Sequence, residues 1–187
     1  WMIERHRLDP GRVFVTGLSA GGAMTSVMLA TYPEVFAGGA IFAGLPYGAA
    51  RSMAEAFEAM AMGRPRPARQ WGDLVRAASA HRGPWPRLSV WQGSADATVR
   101  AANAGEILKQ WRDLHGLEGA PEAGGSQGPA HAHRLWRGAD GRPVLEEHVI
   151  AGMGHGVPTA PGLGEPMPYF LDIGLGATEA VAGFFGL

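Results

Sequence analysis

The chain has 187 residues, of which 46% are hydrophobic and 18% charged, so it is long enough for one globular domain with a substantial core. Its formal net charge is −1, and it has no cluster of Lys and Arg to neutralise phosphates, so we expect no nucleic-acid partner. It contains no cysteine, which excludes disulfide and thiol chemistry but leaves the redox compartment open. Gly, Pro and Glu interrupt the apolar stretches, so we expect no membrane insertion.

The first elements are a short helix, a strand and a second helix. The chain opens at Trp1, and the residues after it resemble the last turns of a helix, so we expect an N-terminal part to be missing. Residues 12–16 are apolar and β-branched without alternation, which predicts a central parallel strand buried on both faces. Residues 20–32 carry apolar side chains around most of the helix surface, which predicts a buried helix that Pro33 ends.

Strands and helices then alternate along the chain. The pattern predicts strands at residues 39–44, 87–92 and 146–150, and helices at residues 51–62, 70–82, 101–114 and 178–185. Residues 117–129 are predicted to form a surface loop. Residues 134–137 and 144–149 should form a hairpin, with Asp140-Gly141 in its turn. This alternation predicts a single α/β domain over residues 1–187, with a mostly parallel sheet covered by helices on both faces.

A candidate nucleophile lies between the first strand and the helix after it, in Gly17-Leu18-Ser19-Ala20-Gly21. A serine on a sharp strand-to-helix turn needs small residues two positions away on either side, and Gly17 and Gly21 meet that need. Phosphate-binding loops fit less well, because no Lys-Ser or Lys-Thr follows the glycines. A dinucleotide fingerprint also fits less well, because it needs a glycine where Ser19 stands. The motif predicts the α/β-hydrolase fold with Ser19 as nucleophile, on the strand-to-helix turn known as the nucleophile elbow. The predicted strand at residues 12–16 is then the elbow strand.

A serine nucleophile needs a base and an acid, and α/β-hydrolases supply them in the chain order Ser, Asp, His. Asp96 follows the predicted strand 87–92, at a strand end where open α/β sheets place their sites. The alternative is that Asp96 caps the next helix. Asp113 and Asp140 fit the acid less well, because one should lie within a helix and the other within a turn.

The candidate base is His155, within the glycine-rich segment Gly152-Met153-Gly154-His155-Gly156 after the predicted strand 146–150. Its alternative is an exposed loop histidine, while His148 should lie in the strand itself. His131 and His133 form a His-x-His pair that could indicate a metal site. No third ligand is evident from the spacing, so we interpret them as a solvated pair and expect no metal.

Five segments together resemble the poly(3-hydroxybutyrate) depolymerase family of esterases, which includes feruloyl and acetylxylan esterase relatives. They are VFVTGLSAGGAM at 13–24, YP at 32–33, AGLPYG at 43–48, WQGSADATV at 91–99 and GMGHG at 152–156. The resemblance implies Ser19 as nucleophile, Asp96 as acid and His155 as base. It also implies that the backbone N–H of Ala20 is an oxyanion-hole donor.

The resemblance further implies ester hydrolysis without a cofactor. Short-chain polyhydroxyalkanoate polyester or its oligomers are the first substrate expected, with feruloyl or acetyl esters of plant polysaccharide as the alternative. A non-catalytic domain of hydrolase shape is a second alternative. Leu45, Pro46 and Trp91 are candidate substrate contacts by neighbourhood, although Trp91 also suits core packing. An extracellular or periplasmic location is implied by the family.

One departure from the family pattern concerns the region before the first strand. The family fold has further strands there, and a loop among them supplies the second oxyanion donor. Their absence from these residues predicts an unpaired edge on the elbow strand and an uncovered apolar surface.

Overall fold

The computed structural model describes residues 1–126, 128, 130–163, 165 and 167–187, which form an α/β fold. The strands described in the main sheet are β1 (Phe14–Leu18), β2 (Gly38–Phe42), β3 (Arg87–Gly93), β4 (Glu122–Ala123), β5 (His131–Arg137) and β6 (Pro143–Ile150). Their order is β1-β2-β3-β6-β5-β4. Strands β1, β2, β3 and β6 are parallel, and β5 is antiparallel to both of its neighbours, β6 and β4. The mostly parallel sheet predicted from the sequence is therefore confirmed.

Helices cover both faces of this sheet. The α-helices of the described residues are α1 (Met2–His6), α2 (Ala20–Thr31), α3 (Met53–Met62), α4 (Ala68–Arg76), α5 (Ala102–His115) and α6 (Ala177–Phe185), of which α1 has no buried residue. On one face, Leu29 of α2, Val75 of α4 and Trp111 of α5 pack against β2 and β3. On the other face, Val181 and Phe185 of α6 pack against a second set of strand side chains. Successive strand residues face opposite sides, so every central strand contributes to both cores.

The prediction of a central, fully buried first strand was wrong. Strand β1 lies at the end of the strand order and pairs only with β2 among the described residues, and Thr16 is exposed. Helix α2 is likewise only partly buried, since Met24 is 55% exposed while Leu29 is 0% exposed. An apolar sequence pattern indicates that a strand or helix can be buried. It is buried only where another element of the fold packs against it. Among the described residues the expected unpaired edge is therefore present on β1, and the exposed Met24 belongs to the expected uncovered apolar surface.

Most other predicted boundaries agree with the structure to within two residues. The helix predicted at residues 70–82 is an exception, because α4 ends at Arg76. Beyond it, the His81 amide donates to Ser79 Oγ, a local bond that competes with helix. The loop predicted at residues 117–129 contains the short strand β4, and its residues Gln127 and Pro129 lie outside the described part of the chain.

The hairpin of β5 and β6 is confirmed. A second, two-stranded sheet was not predicted. It pairs β7 (Val157–Thr159) in parallel with β8 (Phe170–Asp172), and both strands are too short to produce a recognisable pattern. No helix in the described ranges is both long and apolar enough to cross a bilayer.

Candidate active site

Ser19 stands at the junction between β1 and α2 in a strained backbone conformation. Its φ is 58° and its ψ is −117°, a region that non-glycine residues rarely occupy. The Ser19 amide donates to the carbonyl of Phe42 at 2.9 Å, which fixes the turn to the end of β2. The Ser19 carbonyl accepts from the Ala23 amide at 2.9 Å within the first turn of α2. The turn therefore holds Ser19 at the carboxyl edge of the sheet.

The glycines of the elbow have different roles. A Cβ on Gly17 would lie 2.2 Å from the carbonyl oxygen of Gly21, so the turn requires glycine at this position. A Cβ on Gly21 would meet no atom within 4 Å, so the expected steric reason does not extend to Gly21. The second close approach is at Gly22, where a Cβ would lie 3.0 Å from the Phe42 carbonyl oxygen. Glycine at 22 lets α2 approach β2, a need that the sequence motif did not reveal.

Asp96 is 2% exposed, and hydrogen bonds reach both of its carboxylate oxygens. Oδ1 accepts from the amides of Thr98 and Val99 at 2.8 and 2.9 Å. Oδ2 is 2.7 Å from His155 Nδ1 and accepts from Gln92 Nε2 at 3.3 Å. Helix α5 has Ala101 at its N-cap, so Asp96 does not cap that helix. The carboxylate is held by its own loop and aimed at His155.

His155 is not an exposed loop histidine, because only 10% of its side chain is accessible. The loop that carries it docks on the loop that carries Asp96. The Ala95 amide donates to the Met153 carbonyl at 3.0 Å, and the Gly152 amide donates to Ser94 Oγ at 2.9 Å. These loops follow β6 and β3, which are neighbouring parallel strands. Strand pairing therefore brings the two residues together although they are 59 positions apart.

Glycine at 93 allows the close approach of these two loops. A Cβ there would lie 2.3 Å from the Met153 carbonyl oxygen. Sequence reasoning also missed Tyr169, whose ring lies edge-on to His155 with 5.9 Å between centroids. Tyr169 has a positive φ of 69° and is 58% exposed. It belongs to a segment without a regular pattern, so its approach to His155 was visible only in the fold.

Ser19 and the Asp96–His155 pair lie at the same edge of the sheet. Strand β2 separates β1 from β3, so the ends of β1 and β3 are two strand spacings, about 10 Å, apart. Backbone hydrogen bonds link these ends. The Ser19 amide donates to the Phe42 carbonyl of β2, and the Ala43 amide after β2 donates to the Trp91 carbonyl of β3, each at 2.9 Å. Within the described part of the chain, no hydrogen bond joins Ser19 Oγ to His155. The structure thus brings Asp96 and His155 into contact and places Ser19 at the same edge of the sheet.

The backbone N–H of Ala20 is available to an oxyanion. Ala20 is the first residue of α2 and is exposed. The first amides of a helix have no acceptor inside the helix, and the helix dipole adds partial positive charge there. An anion that develops beside Ser19 would meet a suitable donor.

The three candidate substrate contacts are buried, which argues against that role. Leu45 is 7% exposed and packs in a cluster with Trp71 and Val99. Pro46 is also buried. Trp91 is 1% exposed and stacks on Phe42, so its role is core packing. Proximity in sequence to a strand end did not reveal which way these side chains point.

The interpretation of His131 and His133 as a solvated pair was also wrong. His131 is 6% exposed, and His133 stacks on His148 with 4.1 Å between ring centroids. Burial, together with the neighbouring histidines, lowers the pKa of His131 to about 4. Burial opposes ionisation of Glu146, but its contacts with His133, His148 and Ser89 outweigh burial and lower its pKa to about 2. The hairpin therefore contains a buried cluster of histidines around a carboxylate.

Comparison with known proteins agrees with this geometry. The family described as Esterase PHB depolymerase matches residues 1–130. A poly(3-hydroxyalkanoate) depolymerase C of Paucimonas lemoignei is 43% identical over 192 residues, covering 100% of this chain and 46% of the relative. An acetylxylan esterase of Coprinopsis cinerea is 34% identical over 193 residues, with the same coverage of 100% and 46%. The chain thus spans about half the length of these curated relatives.

Solved structures share the fold. The acetyl xylan esterase from Aspergillus awamori superposes with a TM-score of 0.79 and 27% identity, covering 100% of this chain and 63% of that one. The PHB depolymerase from Penicillium funiculosum superposes with a TM-score of 0.68 and 22% identity, covering 96% and 52%, and shows the fold alone. The fold is that of the α/β-hydrolases. By its sequence match, the chain belongs to the Esterase PHB depolymerase family.

Proposed function

We propose that the protein hydrolyses carboxylic esters through an acyl-enzyme formed on Ser19. The observation that carries the proposal is the 2.7 Å contact between His155 Nδ1 and Asp96 Oδ2. A carboxylate at that nitrogen holds the Nδ1–H tautomer and leaves Nε2 free to accept a proton. Ser19 lies on a strained turn at the same sheet edge. The Ala20 amide follows Ser19 directly and can donate a hydrogen bond to an oxyanion.

The reaction then proceeds in two steps. His155 Nε2 takes the Ser19 proton as Oγ attacks the ester carbonyl, and the Ala20 amide donates to the oxyanion that develops. Collapse of the intermediate breaks the bond to the alcohol, which leaves with the proton from His155. In the second step His155 takes a proton from water, whose oxygen attacks the acyl-enzyme carbonyl. The bond to Ser19 Oγ then breaks, His155 returns the proton to Oγ, and the carboxylic acid leaves. No metal or organic cofactor takes part in these steps.

For the substrate, we propose short-chain polyhydroxyalkanoate polyester or its oligomers. This choice is supported by the 43% identity to a poly(3-hydroxyalkanoate) depolymerase, against 34% to an acetylxylan esterase and to a feruloyl esterase B of Thermothelomyces thermophilus. Feruloyl or acetyl esters of plant polysaccharide are the alternative, because the same catalytic residues serve both. An extracellular or periplasmic location, which the family resemblance implies, stays a prediction.

The first experiment compares turnover of p-nitrophenyl butyrate by the protein and by its Ser19→Ala variant. We expect the variant to lose at least about a thousandfold, because removing a triad nucleophile leaves only the binding contributions. Equal rates in the two proteins would defeat the esterase proposal and favour the non-catalytic alternative.

The second experiment concerns the substrate. Release of hydroxybutyrate from the polymer is measured beside release of ferulate and acetate from xylan. Hydroxybutyrate release that depends on Ser19 supports the polyester proposal. Activity on the polysaccharide alone would replace it with the alternative.

A further inference from the structure

The hairpin of β5 and β6 places three potential metal ligands together. They lie away from the carboxyl edge of the sheet that carries Ser19, Asp96 and His155, which is called the catalytic edge. His133 of β5 is the register partner of His148 on β6, and Glu146 lies two residues before His148 on the same face. One ligand atom from each of these three side chains can be chosen so that all lie within 4.8 Å of one another. His133 Nε2 is 2.9 Å from Glu146 Oε2, and His148 Nε2 is 3.1 Å from Glu146 Oε1.

These separations are close to those in a metal centre. Ligands at 2.0–2.1 Å from a tetrahedral zinc ion are roughly 3.3 Å apart. Two imidazoles and a carboxylate also match the ligand preference of zinc and its first-row neighbours, whereas calcium and magnesium prefer oxygen ligands alone. The donor set and spacing therefore fit a transition-metal cation.

An unsatisfied nitrogen points to the same conclusion. The side chain of His148 is 4% exposed, and within the described part of the chain its Nε2 has no hydrogen-bond partner. Its contact with Glu146 has a suitable distance but lacks hydrogen-bond geometry. A buried polar atom without a partner is costly, so such atoms are few in native structures. A bound cation would satisfy this nitrogen.

The surrounding side chains would hold the ligands as second-shell groups do in metal sites. His148 Nδ1 is 2.8 Å from His131 Nε2, which fixes the ring so that Nε2 faces Glu146. Glu146 Oε1 accepts from Ser89 Oγ at 2.6 Å, and Ser89 Oγ accepts from Trp91 Nε1 at 2.8 Å. His148 stacks on Trp91 with 3.7 Å between centroids. Two of the three ligands are thus already oriented by the core.

His133 is the ligand that must move. Its ring is stacked on that of His148 with an angle of 14° between planes, so the nitrogen lone pairs lie in two nearly parallel planes and do not converge on one point. A shared ion requires the His133 ring to turn about χ2, a torsion with a broad preference in histidine. Its side chain is 14% exposed and lines a pocket of about 340 Å³ with Gly125, Ala180 and Phe184. This pocket gives an ion a way in and leaves room for a water as fourth ligand.

We propose that His133, Glu146 and His148 form a binding site for a divalent transition-metal cation of the zinc class, which cross-links β5 to β6. The site is distinct from the catalytic edge and takes no part in ester hydrolysis. The cross-link would fix the strand that leads into the His155 loop, so it would act on stability. Its test does not depend on the proposed function.

Binding is tested on tag-free protein stripped with a chelator. Co²⁺ is added first, because tetrahedral Co²⁺ gives strong visible absorption bands, and Zn²⁺ binding is then measured by calorimetry. We expect one ion per chain and, at a hundredfold excess over Kd, a rise in Tm of about 5 °C or more. No binding of either ion, or a Co²⁺ spectrum typical of an all-water octahedral ion, would overturn the proposal.

Two variants locate the site. Glu146→Gln keeps the size of the side chain and an acceptor for Ser89 Oγ, and His133→Asn changes the most accessible of the three ligands. We expect each to weaken Zn²⁺ binding by at least about tenfold. The circular dichroism spectrum of each variant, recorded in the presence of chelator, should match that of the parent. His81→Ala is the matched control, because the His81 ring contacts the Pro84 carbonyl and the Trp85 ring, which lie outside the proposed site. Equal affinity in all four proteins would place the ion elsewhere and refute the assignment.

Discussion

Replacing Gly17 by alanine tests the steric account of the elbow. The new Cβ would lie 2.2 Å from the carbonyl oxygen and 2.3 Å from the carbonyl carbon of Gly21, and 2.8 Å from the Gly22 nitrogen. Favourable contacts of carbon with other heavy atoms lie near 3.5–4.0 Å, so the overlap exceeds 1 Å at both carbonyl atoms of Gly21, which have no rotamer to change. Relief must come from moving the first turn of α2.

That turn is itself held in place. The Ser19 amide is bonded to Phe42, and Gly22 packs against β2 so closely that a Cβ would lie 3.1 Å from Gly44 Cα. Added methyl groups in well-packed sites cost about 1–3 kcal/mol, and a clash with backbone belongs at the upper end. We therefore expect Gly17→Ala to lower the free energy of unfolding by about 3 kcal/mol. Because the moving turn carries Ser19 and Ala20, esterase activity should fall as well.

Gly21→Ala is the matched control. A Cβ there meets no atom within 4 Å, and Gly21 lies in a helix, where alanine is favoured over glycine by at most about 1 kcal/mol. Both variants are unfolded in urea and followed by tryptophan fluorescence, with midpoint and slope compared with the parent. The steric reasoning is refuted if Gly17→Ala stays within about 0.5 kcal/mol of the parent, or if Gly21→Ala is equally destabilised.

Three further predictions concern the acid, the loops and the pH dependence. In Asp96→Asn, an amide nitrogen facing His155 Nδ1 would favour the wrong tautomer, so kcat should fall by about 10⁴ while circular dichroism is unchanged; full activity would show that Asp96 is not the acid. Ser94→Ala removes the acceptor of the Gly152 amide, so thermal denaturation should show a loss of about 1 kcal/mol, and an unchanged Tm would count against the loop docking. Burial lowers the pKa of His115 from 6.5 to about 4, against the opposing hydrogen bond to Pro86. Between these values the unfolded chain binds a proton that the native chain does not, so stability falls as pH falls from 6.5 to 4, by up to about 3 kcal/mol. His115→Gln should reduce that slope in urea titrations, and an unchanged slope would contradict the assignment.

The candidate site was largely predictable because its parts follow a local rule. Gly17 and Ser19 lie within one turn, so their geometry depends on neighbouring residues, and a short sequence motif is enough to predict it. Asp96 and His155 are distant in sequence, but each follows a strand of the parallel sheet. The carboxyl ends of parallel strands meet at one edge, so fold class and chain order were enough to bring them together.

Other predictions were wrong where the burial or direction of a side chain depended on its neighbours in the tertiary structure. Residues of β1 and α2 have the apolar character of buried elements, yet β1 is an edge strand in the described chain and Met24 is exposed. Leu45 and Trp91 follow or precede strand ends as substrate contacts often do, but their side chains point into the core. Tyr169 reaches His155 through a segment without regular pattern.

The histidine cluster shows the same division most clearly. The sequence alone predicted the hairpin, from two predicted strand segments joined by a turn that contains Asp140-Gly141. It could not determine that His133 would face His148, because a shift of one residue in strand register would turn each side chain to the opposite face. Sequence therefore determined what depends on local backbone geometry, fold class and the order of residues along the chain. Register, burial and the contacts across strands were decided only by tertiary structure, since each depends on which surfaces finally pair.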